Sequence, residues 1–508
     1  RGYDRSGRPR CLETGMRETS MANLADDIRL VVEQVLKSPD ISALLNGVNP
    51  SPVIAPESAA SASAAASGAG IFPDLDSAVA AAATAQRELV ALPLETRKAM
   101  IAAMRRVIVW NNADLSAQAV TETGLGNVAD KQIKNALAAN KTPGVEDIEP
   151  SASTDEHGLT LTEHAPYGVI GAITPVTNPI ATITSNAIGM IAAGNSVVFN
   201  VHPNAKAISC RLVRMFNEAI VSEGGPNNLL CAMGNPTIES ASALMKHKGI
   251  ALLVVTGGPG VVAAAMGSGK KAICAGPGNP PCVVDSTADI VKAGRDIVAG
   301  ASFDHNIVCI CEKEVLVVEA IADRLKEEMR KSGAFELTGP QIDAVTKLVI
   351  AEAGGPGKEG SPNKAYVGKS PHYIAKAAGI EVPATTKLLL MEVGREHPLV
   401  WTEQLMPVLP LVRMKDVDEA IDFAVLVERD CRHSAMIHSH DIDKLSRMAK
   451  AMNCSLFIKN GPCYAGLGQG GAGYTSFTIA SPTGEGITRA RTFTRERRCT
   501  LVDAFRII

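Results

Sequence analysis

Apolar and polar positions divide the chain into a short N-terminal part and a long body. Residues 1–20 are polar, Arg-rich and without periodicity, which predicts a disordered extension. Within residues 21–47, apolar side chains recur at helical spacing from 25 to 37 with charged residues opposite, which predicts a short amphipathic helix. Residues 48–70 are rich in Pro, Ala and Ser and predict a linker. The apolar face of this tethered helix can dock on its own chain or bind another protein, and the sequence leaves both open.

From residue 71 onward the pattern is that of a globular protein. Helical spacing recurs over three segments, 78–90, 94–111 and 113–123. Beyond residue 161, short apolar strands alternate with Gly, Asn and Pro turns and with helices, and the Gly-rich tail from 461 ends in Arg-rich, strand-like segments. Apolar strands that alternate with helices predict mostly parallel sheets covered by helices on both faces.

Composition narrows the class of protein. The chain has 508 residues, of which 46% are hydrophobic and 20% charged, enough for more than one packed domain. A net charge of -3 without a long basic block argues against nucleic-acid binding. No run of about eighteen apolar residues and no secretory signal pattern are found, so we expect neither membrane insertion nor export. The 11 cysteines are scattered without metal-ligand spacing, which predicts a reduced, intracellular protein without a metal site.

Three segments have the residue types of a catalytic site. ITPVTNP (173–179) and VTGGPG (255–260) each follow an apolar strand, where an open sheet binds ligands and where small residues let the backbone approach a phosphate. Cys309 lies between a polar turn and an apolar strand, so its thiol can be exposed and reactive. Each segment also has an ordinary interpretation, as a turn after a strand or as a buried core cysteine.

The order of the motifs along the chain is more specific evidence than any single segment. The motifs are ITPVTNP (173–179), GNSVVFN (194–200), VVTGGPG (254–260), AGPGNPP (275–281), the segment around Cys309 and EQLMPV (403–408). In order and spacing they resemble the motif set of the aldehyde dehydrogenase superfamily over the chain from residue 71 to the end. The branch that they resemble most is the CoA-acylating propionaldehyde and acetaldehyde dehydrogenases of bacterial microcompartments, whose members similarly carry a tethered encapsulation helix.

The resemblance implies a nucleophile and an oxyanion donor. It makes Cys309 the nucleophile and Asn178 the side-chain donor to the oxyanion, together with the Cys309 backbone N–H. A thiolate that adds to an aldehyde gives an alkoxide, and such charge needs preorganised hydrogen-bond donors. Cys311 is a rival, since residues two apart on a strand share a face. We leave His305 and His433 out of the catalytic set, because a loop histidine is more often structural.

The resemblance also implies a nucleotide site. On the nicotinamide half it assigns Thr174 and Pro175 beside the ring, Glu403 at the ribose, and Thr256, Gly257 and Gly258 at the pyrophosphate. On the adenosine half it assigns Asn200, where many relatives have a lysine for the ribose, and His202 and Pro203 on the adenine side. Ala275 and Gly276 complete the set of cofactor-binding residues. NAD is the expected cofactor, although no residue decides between NAD and NADP.

Ala275 points to the second substrate. Hydrolytic members of the family have a glutamate general base at this position, and its absence leaves water poorly activated. A long-lived acyl-cysteine can then be taken by the thiol of coenzyme A, a better nucleophile than water near neutral pH. The expected product is therefore an acyl-CoA.

The predicted fold is of the α/β class and aldehyde dehydrogenase-like. It has a Rossmann-type NAD- and CoA-binding domain at 71–275 with a strand pair at 150–166, a catalytic α/β domain at 276–460, and a C-terminal segment at 461–508 with oligomerisation strands. By resemblance this β extension forms a homodimer or homotetramer.

The predicted activity is NAD-dependent oxidation of a short-chain aldehyde to acyl-CoA in the lumen of a bacterial microcompartment, with the N-terminal helix contacting shell or other encapsulated enzymes. By resemblance alone, propionaldehyde is preferred as the substrate. The alternatives are acetaldehyde as main substrate, a hydrolytic enzyme, or an inactive encapsulated scaffold or binding protein.

Overall fold

A computed structural model describes residues 70–508. The predictions for residues 1–20, for the helix within 21–47 and for the linker up to residue 69 lie outside the described residues. The helices of the described part are α1 Leu75–Ala91, α2 Leu94–Thr123, α3 Val128–Lys141, α4 Pro179–Ala192, α5 Lys206–Ser222, α6 Ile238–Lys246, α7 Pro259–Met266, α8 Ile290–Ser302, α9 Glu319–Lys331, α10 Gly339–Val349, α11 Pro371–Ala377, α12 Val417–Glu428 and α13 Ile442–Met452.

Twenty strands accompany these helices over residues 70–508. They are β1 Ile71–Phe72, β2 Ser151–Asp155, β3 Gly158–Pro166, β4 Val169–Ile173, β5 Ser196–Asn200, β6 Leu230–Met233, β7 Leu252–Thr256, β8 Ala272–Ala275, β9 Pro281–Val284, β10 Glu314–Val318, β11 Ala334–Glu336, β12 Ile350–Glu352, β13 Ser361–Pro362, β14 Leu388–Glu392, β15 Val408–Met414, β16 Ser434–His438, β17 Leu456–Lys459, β18 Ile479–Ala480, β19 Gly486–Ile487 and β20 Thr494–Val502.

Two parallel sheets form the body. The first has six strands in the order β1-β6-β5-β4-β7-β8, and the second has seven in the order β11-β14-β15-β10-β9-β16-β17. Strands β4 and β5 are buried along their whole length, as Val- and Ile-rich strands between two helix layers must be. The prediction of mostly parallel sheets covered by helices is confirmed.

The connection from β8 to β9 joins the two sheets. Residues 276–280 leave the carboxyl end of β8 and enter the amino end of β9. This short segment therefore brings the carboxyl edge of the first sheet next to the amino edge of the second, and both edges contribute to the site described below.

A third, antiparallel sheet has the order β2-β3-β20. Its register pairs Thr160 with Thr500 and Leu161 with Cys499, so the end of the chain returns to a hairpin that lies far earlier in sequence. Side chains along β2 and nearly all of β20 are exposed. The segments 150–166 and 461–508 thus contain the strands that form this small sheet.

The helices before the first sheet differ in part from the prediction. Helix α2 is continuous through residues 111–113, where two separate helices were predicted. It continues because Asn111 donates to the Val107 carbonyl at 2.8 Å and Asn112 donates to the Gln132 carbonyl at 2.8 Å. These bonds satisfy polar side chains that otherwise favour a helix end. Among residues 70–508, no helix combines the length and the apolar character needed to cross a bilayer.

Candidate active site

The predicted nucleotide residues lie at one edge of the first sheet. Strands β5, β4, β7 and β8 are neighbours in the parallel sheet, and each ends at the same edge. The residues at or just beyond those ends are Asn200, His202 and Pro203 after β5, Thr174 and Pro175 after β4, Thr256, Gly257 and Gly258 after β7, and Ala275 and Gly276 after β8. Ligands of open α/β sheets bind at this edge.

Several atoms at this edge suit a bound dinucleotide. The Thr174 hydroxyl is buried and has no hydrogen-bond partner within the described part of the chain. Gly258 caps the amino end of α7, and a Cβ added there would meet open space. A helix amino end beside small residues is suited to a pyrophosphate. Thr256 is tied to Thr478 by a hydroxyl–hydroxyl bond of 2.8 Å, so the C-terminal segment also reaches this edge.

The residues after β5 are engaged within the protein. The Asn200 amide oxygen accepts from the Ser240 hydroxyl at 2.5 Å, and its NH₂ group donates to the Thr237 carbonyl at 3.4 Å. His202 is half-buried, and its Nδ1 accepts from the Asn204 backbone N–H at 3.1 Å. Asn200 therefore braces the turn before α6 with its side chain, while the neighbouring Pro203 is exposed.

Cys309 lies in a turn and not in the strand that its sequence predicts. The strand begins only at Glu314, and the turn closes with a bond from the Cys311 N–H to the Val308 carbonyl at 3.0 Å. Cys309 is partly exposed, whereas Cys311 is 0% exposed with its sulfur near the Phe303 carbonyl at 3.9 Å. The expectation that the two cysteines share one face is therefore wrong, because a strand alternation does not apply in a turn.

Glu403 connects Cys309 to the segment between the two sheets. Its carboxylate accepts from the Gly278 N–H, and burial raises its pKa to about 7 against the opposing effect of Lys313. Burial, reinforced by the charge of Glu403, raises the pKa of the Cys309 thiol to about 12, whereas Lys313 lowers it. Protonation of Glu403 therefore favours ionisation of Cys309. Glu403 is half-buried and is not a solvated surface residue.

Asn178 lies at the amino end of α4 and is 9% exposed. Its amide oxygen accepts from the Lys134 ammonium group at 2.5 Å, and its NH₂ group donates to the Thr177 hydroxyl at 3.2 Å. Lys134 also pairs with Asp304, and Lys131 pairs with the same carboxylate at 3.2 Å. The structure thus joins Asn178 through one lysine to the turn that precedes Cys309.

That turn has an unusual backbone. Asp304, His305 and Asn306 have φ values of 46°, 53° and 63°, the left-handed region that non-glycine residues rarely adopt. Each side chain is held: Asp304 by the two lysines, His305 by its Nδ1 bond to the Gly368 carbonyl at 3.1 Å, and Asn306 by donation to the Glu312 carbonyl at 3.0 Å. These bonds stabilise a turn that otherwise costs about 1–3 kcal/mol per strained residue.

Sequence reasoning missed two buried lysines and did not foresee the burial of His433. Lys131 and Lys134 are spaced by three on α3 and occupy the buried face, so their charges hid the apolar periodicity that would have predicted this helix. His433 is fully buried beside Gly278, and burial together with Lys313 lowers its pKa to about 4. This low pKa keeps the ring neutral near pH 7, and its Nε2 has no hydrogen-bond partner within residues 70–508.

The last residue of β8 is an alanine, so its side chain carries no carboxylate. Ala275 is 4% exposed, and its carbonyl accepts from the Gly257 N–H at 3.2 Å. Within the described residues, no group of three or more His, Cys, Asp or Glu side chains is arranged to hold a metal ion.

Comparison with known proteins identifies the family. The model of the aldehyde dehydrogenase family matches residues 49–481. The chain belongs to the aldehyde dehydrogenase family. This match confirms both the family and the fold predicted from the sequence.

Three relatives show which branch of the aldehyde dehydrogenase family is similar. An acetylating acetaldehyde dehydrogenase of Escherichia coli is 49% identical over 447 residues, 88% of this chain and 95% of the relative. A crystal structure of Rhodopseudomonas palustris propionaldehyde dehydrogenase with bound CoA and an acylated cysteine is 48% identical, covers 87% of this chain and 100% of its own, and has a TM-score of 0.84. A propionaldehyde dehydrogenase from the Clostridium phytofermentans fucose utilisation bacterial microcompartment is 45% identical, covers 86% and 100%, and also has a TM-score of 0.84.

Proposed function

We propose that this chain catalyses the NAD-dependent oxidation of a short-chain aldehyde, with propionaldehyde preferred, to an acyl-CoA. The observation that carries the proposal is the arrangement around Cys309: a partly exposed cysteine in a turn held by hydrogen bonds, with Asn178 joined through Lys134 to the same turn. Relatives named as acetylating acetaldehyde dehydrogenase and as CoA-propanoylating propanal dehydrogenase, 49% and 47% identical over most of the chain, support it.

The first half of the reaction forms an acyl-cysteine. The Cys309 thiolate adds to the aldehyde carbonyl, and the new C–S bond leaves negative charge on the former carbonyl oxygen. The second N–H of the Asn178 amide and the Cys309 backbone N–H stabilise that charge. The carbon then loses a hydride with its electron pair, so that the thiohemiacetal becomes a thioester. Bound NAD supplies the acceptor for that hydride.

The residues around the nucleotide edge hold and orient the cofactor. Thr174 and Pro175 line the nicotinamide side, Gly257 and Gly258 receive the pyrophosphate at the amino end of α7, and Glu403 binds the nicotinamide ribose. The Thr174 hydroxyl, which has no hydrogen-bond partner among residues 70–508, and the open space at Gly258 support this placement. Asn200 contributes by bracing the turn before α6.

The second half of the reaction transfers the acyl group. The thiol of CoA, once deprotonated, attacks the thioester carbonyl, the bond to Cys309 breaks, and the cysteine leaves as thiolate. Exchange of one thioester for another costs little free energy. Ala275 cannot act as a general base for water, so hydrolysis of the thioester is slow and the acyl-cysteine persists until CoA reacts with it.

Acetaldehyde is the alternative substrate, because relatives named for acetaldehyde and for propanal are similarly close at 49% and 47% identity. A hydrolytic enzyme would need a general base at position 275, where this chain has an alanine. An inactive scaffold would not need the bonds that hold Asn178 and Asp304. These observations favour a CoA-dependent enzyme over both rivals.

The deciding experiment measures NADH formation from propionaldehyde with and without CoA, together with acyl-CoA by mass spectrometry. We expect sustained turnover only with CoA and one acyl-CoA for each NADH. Equal turnover without CoA would show that water releases the acyl group and that our interpretation of Ala275 is wrong. Absence of NADH in every condition would favour the scaffold.

We further propose that the β2-β3-β20 sheet joins copies of the chain into a homodimer or homotetramer. Both outer strands, β2 and β20, present exposed side chains and unpaired edges, which proteins normally cover. Light scattering tests this directly, since an assembly has two or four times the chain mass of 53.1 kDa.

We propose that the chain is located in the lumen of a bacterial microcompartment and that residues 21–47 direct it to shell or enclosed enzymes. The support is the amphipathic pattern of this segment, its linker, and the microcompartment origin of a similar enzyme. Fusion of residues 21–47 to a fluorescent reporter should recruit it to shells, whereas a fusion in which Val31 and Leu36 are changed to Asp should stay diffuse. Equal distribution of both fusions would contradict the proposal.

A further inference from the structure

We propose that Lys134 is a positioning residue for catalysis, which orients the Asn178 amide so that its NH₂ group faces the aldehyde oxygen. The inference rests on the proposed function, in which Asn178 is the oxyanion donor. It concerns a lysine that the motifs of the chain do not single out. Its evidence is the set of bonds between α3, the start of α4 and the turn before Cys309.

Lys134 is buried at a considerable cost. Its side chain is 2% exposed, and the neighbouring Lys131 on the same helix face is 3% exposed. Two buried ammonium groups this close repel each other, and burial together with the charge of Lys134 lowers the pKa of Lys131 to about 8. A single carboxylate, that of Asp304, pairs with both. One lysine would suffice to neutralise the charge of this carboxylate, so we infer that one of the two lysines has an additional role.

The bond to Asn178 shows what that role is. An ammonium group has three donor hydrogens and no acceptor, so the atom of Asn178 that faces Lys134 at 2.5 Å must be the amide oxygen. The NH₂ group therefore points the other way. One of its hydrogens goes to the Thr177 hydroxyl at 3.2 Å, and the second has no acceptor within residues 70–508. This second hydrogen is available to an oxyanion.

A neutral partner could not impose this orientation. A glutamine or a hydroxyl group can donate or accept, so it allows the Asn178 amide to rotate by half a turn and present its oxygen to the substrate. An oxygen there would repel the developing alkoxide. The positive charge of Lys134 also polarises the amide and strengthens its N–H as a donor.

The same lysine connects the donor to the nucleophile. Asp304 accepts from Lys134 and also from the Asn127 backbone N–H at 2.8 Å, and its own N–H donates to Asp130 at 2.8 Å. Asp304 lies five residues before Cys309 in the left-handed turn. Lys134 thus fixes the distance between the oxyanion donor and the segment that positions the thiol.

Lys131 provides a matched control. It is equally buried, lies one helical turn away and pairs with the same carboxylate, but its second contact is the Thr177 carbonyl at 3.4 Å and not the Asn178 side chain. A role limited to neutralising Asp304 would make the two lysines equivalent. A role in orienting Asn178 belongs to Lys134 alone.

The test is a double-mutant cycle with Lys134→Met, Lys131→Met and Asn178→Ala. We expect Lys134→Met to lower kcat by about 10- to 100-fold with a KM for propionaldehyde changed by less than about threefold, since it weakens one oxyanion donor. In the Asn178→Ala background, adding Lys134→Met should lower kcat by a further factor of less than about three. Lys131→Met should lower kcat by the same factor in both backgrounds.

Iodoacetamide labelling of Cys309 serves as a second measurement, because alkylation needs the thiolate but no oxyanion donor. We expect labelling of the Lys134→Met variant at the wild-type rate. An equal loss of kcat from Lys134→Met in both backgrounds, or slowed labelling, would show that Lys134 only holds the turn and would overturn the proposal. If Lys134→Met lacks a cooperative thermal transition, the same cycle with Lys134→Gln decides.

Failure of the underlying mechanism has a different outcome. If Cys309→Ala retains turnover, the proposed function is wrong. If Cys309→Ala is inactive while Asn178→Ala keeps wild-type kcat, Asn178 is not the oxyanion donor and the role of Lys134 is refuted with it. Restoration of most activity by Lys134→Arg, which also only donates, would support the orientation argument.

Discussion

Replacing Cys309 by alanine is expected to reduce CoA-dependent NADH formation by about 10⁴-fold or more, because no covalent intermediate can form without the nucleophile. Cys309 is a partly buried residue and the change removes a single heavy atom, the sulfur, so the thermal transition should remain near that of the wild type. Steady-state NADH formation with saturating CoA measures the first effect, and differential scanning fluorimetry measures the second.

Cys311→Ala is the matched control, since this cysteine is two residues away but 0% exposed in the core. We expect turnover within about threefold of wild type and a loss of about 1 kcal/mol in the free energy of unfolding, from the small cavity left behind. Loss of turnover in Cys311→Ala with retention in Cys309→Ala would exchange the two assignments.

Asn178→Ala is expected to lower kcat by about 10²- to 10³-fold, the usual effect of removing one oxyanion donor. The KM for propionaldehyde should change little, because the donor acts on charge that develops only in the transition state. Initial rates over a range of propionaldehyde concentrations separate the two parameters.

Asn135→Ala is a suitable control for this variant. Asn135 is also a buried amide, and its NH₂ group donates to the Asn112 amide oxygen at 3.2 Å and to the Ser116 hydroxyl at 3.0 Å. Its loss should cost about 1 kcal/mol of stability and leave kcat within about threefold. A comparable fall of kcat in both variants would mean that any buried amide lost from this region disturbs the site.

The architecture was predictable because the strands of the body are continuous apolar runs separated by Gly and Pro turns. Where local pattern and burial agree, as in β4 and β5, sequence alone locates the element. It fails where tertiary contacts override the pattern. The pair Asn111 and Asn112 predicts a helix end, yet α2 is continuous there because both side chains are hydrogen-bonded to backbone carbonyl groups.

The site was predictable only in its named motif residues. The positions of the predicted nucleotide residues follow from the ends of parallel strands, which the sequence marks clearly. The supporting charges were not predictable, since Lys134 and Asp304 are 170 positions apart and a buried lysine resembles a surface lysine in sequence. The turn at Cys309 was also missed, because its apolar neighbours Ile307, Val308 and Ile310 imitate a strand while their backbone forms a turn.

The β2-β3-β20 sheet limits when the chain can complete its folding during translation. Thr160 and Thr500 share a bond of 3.1 Å although 340 residues separate them, and Asn195 donates to the Phe493 carbonyl at 2.9 Å within the core of the first sheet. A ribosome has therefore made nearly the whole chain before the first sheet can close its core. Until then the β3 edge and the apolar site of Phe493 stay open, and open edges and apolar surfaces of this kind make incomplete chains prone to aggregation.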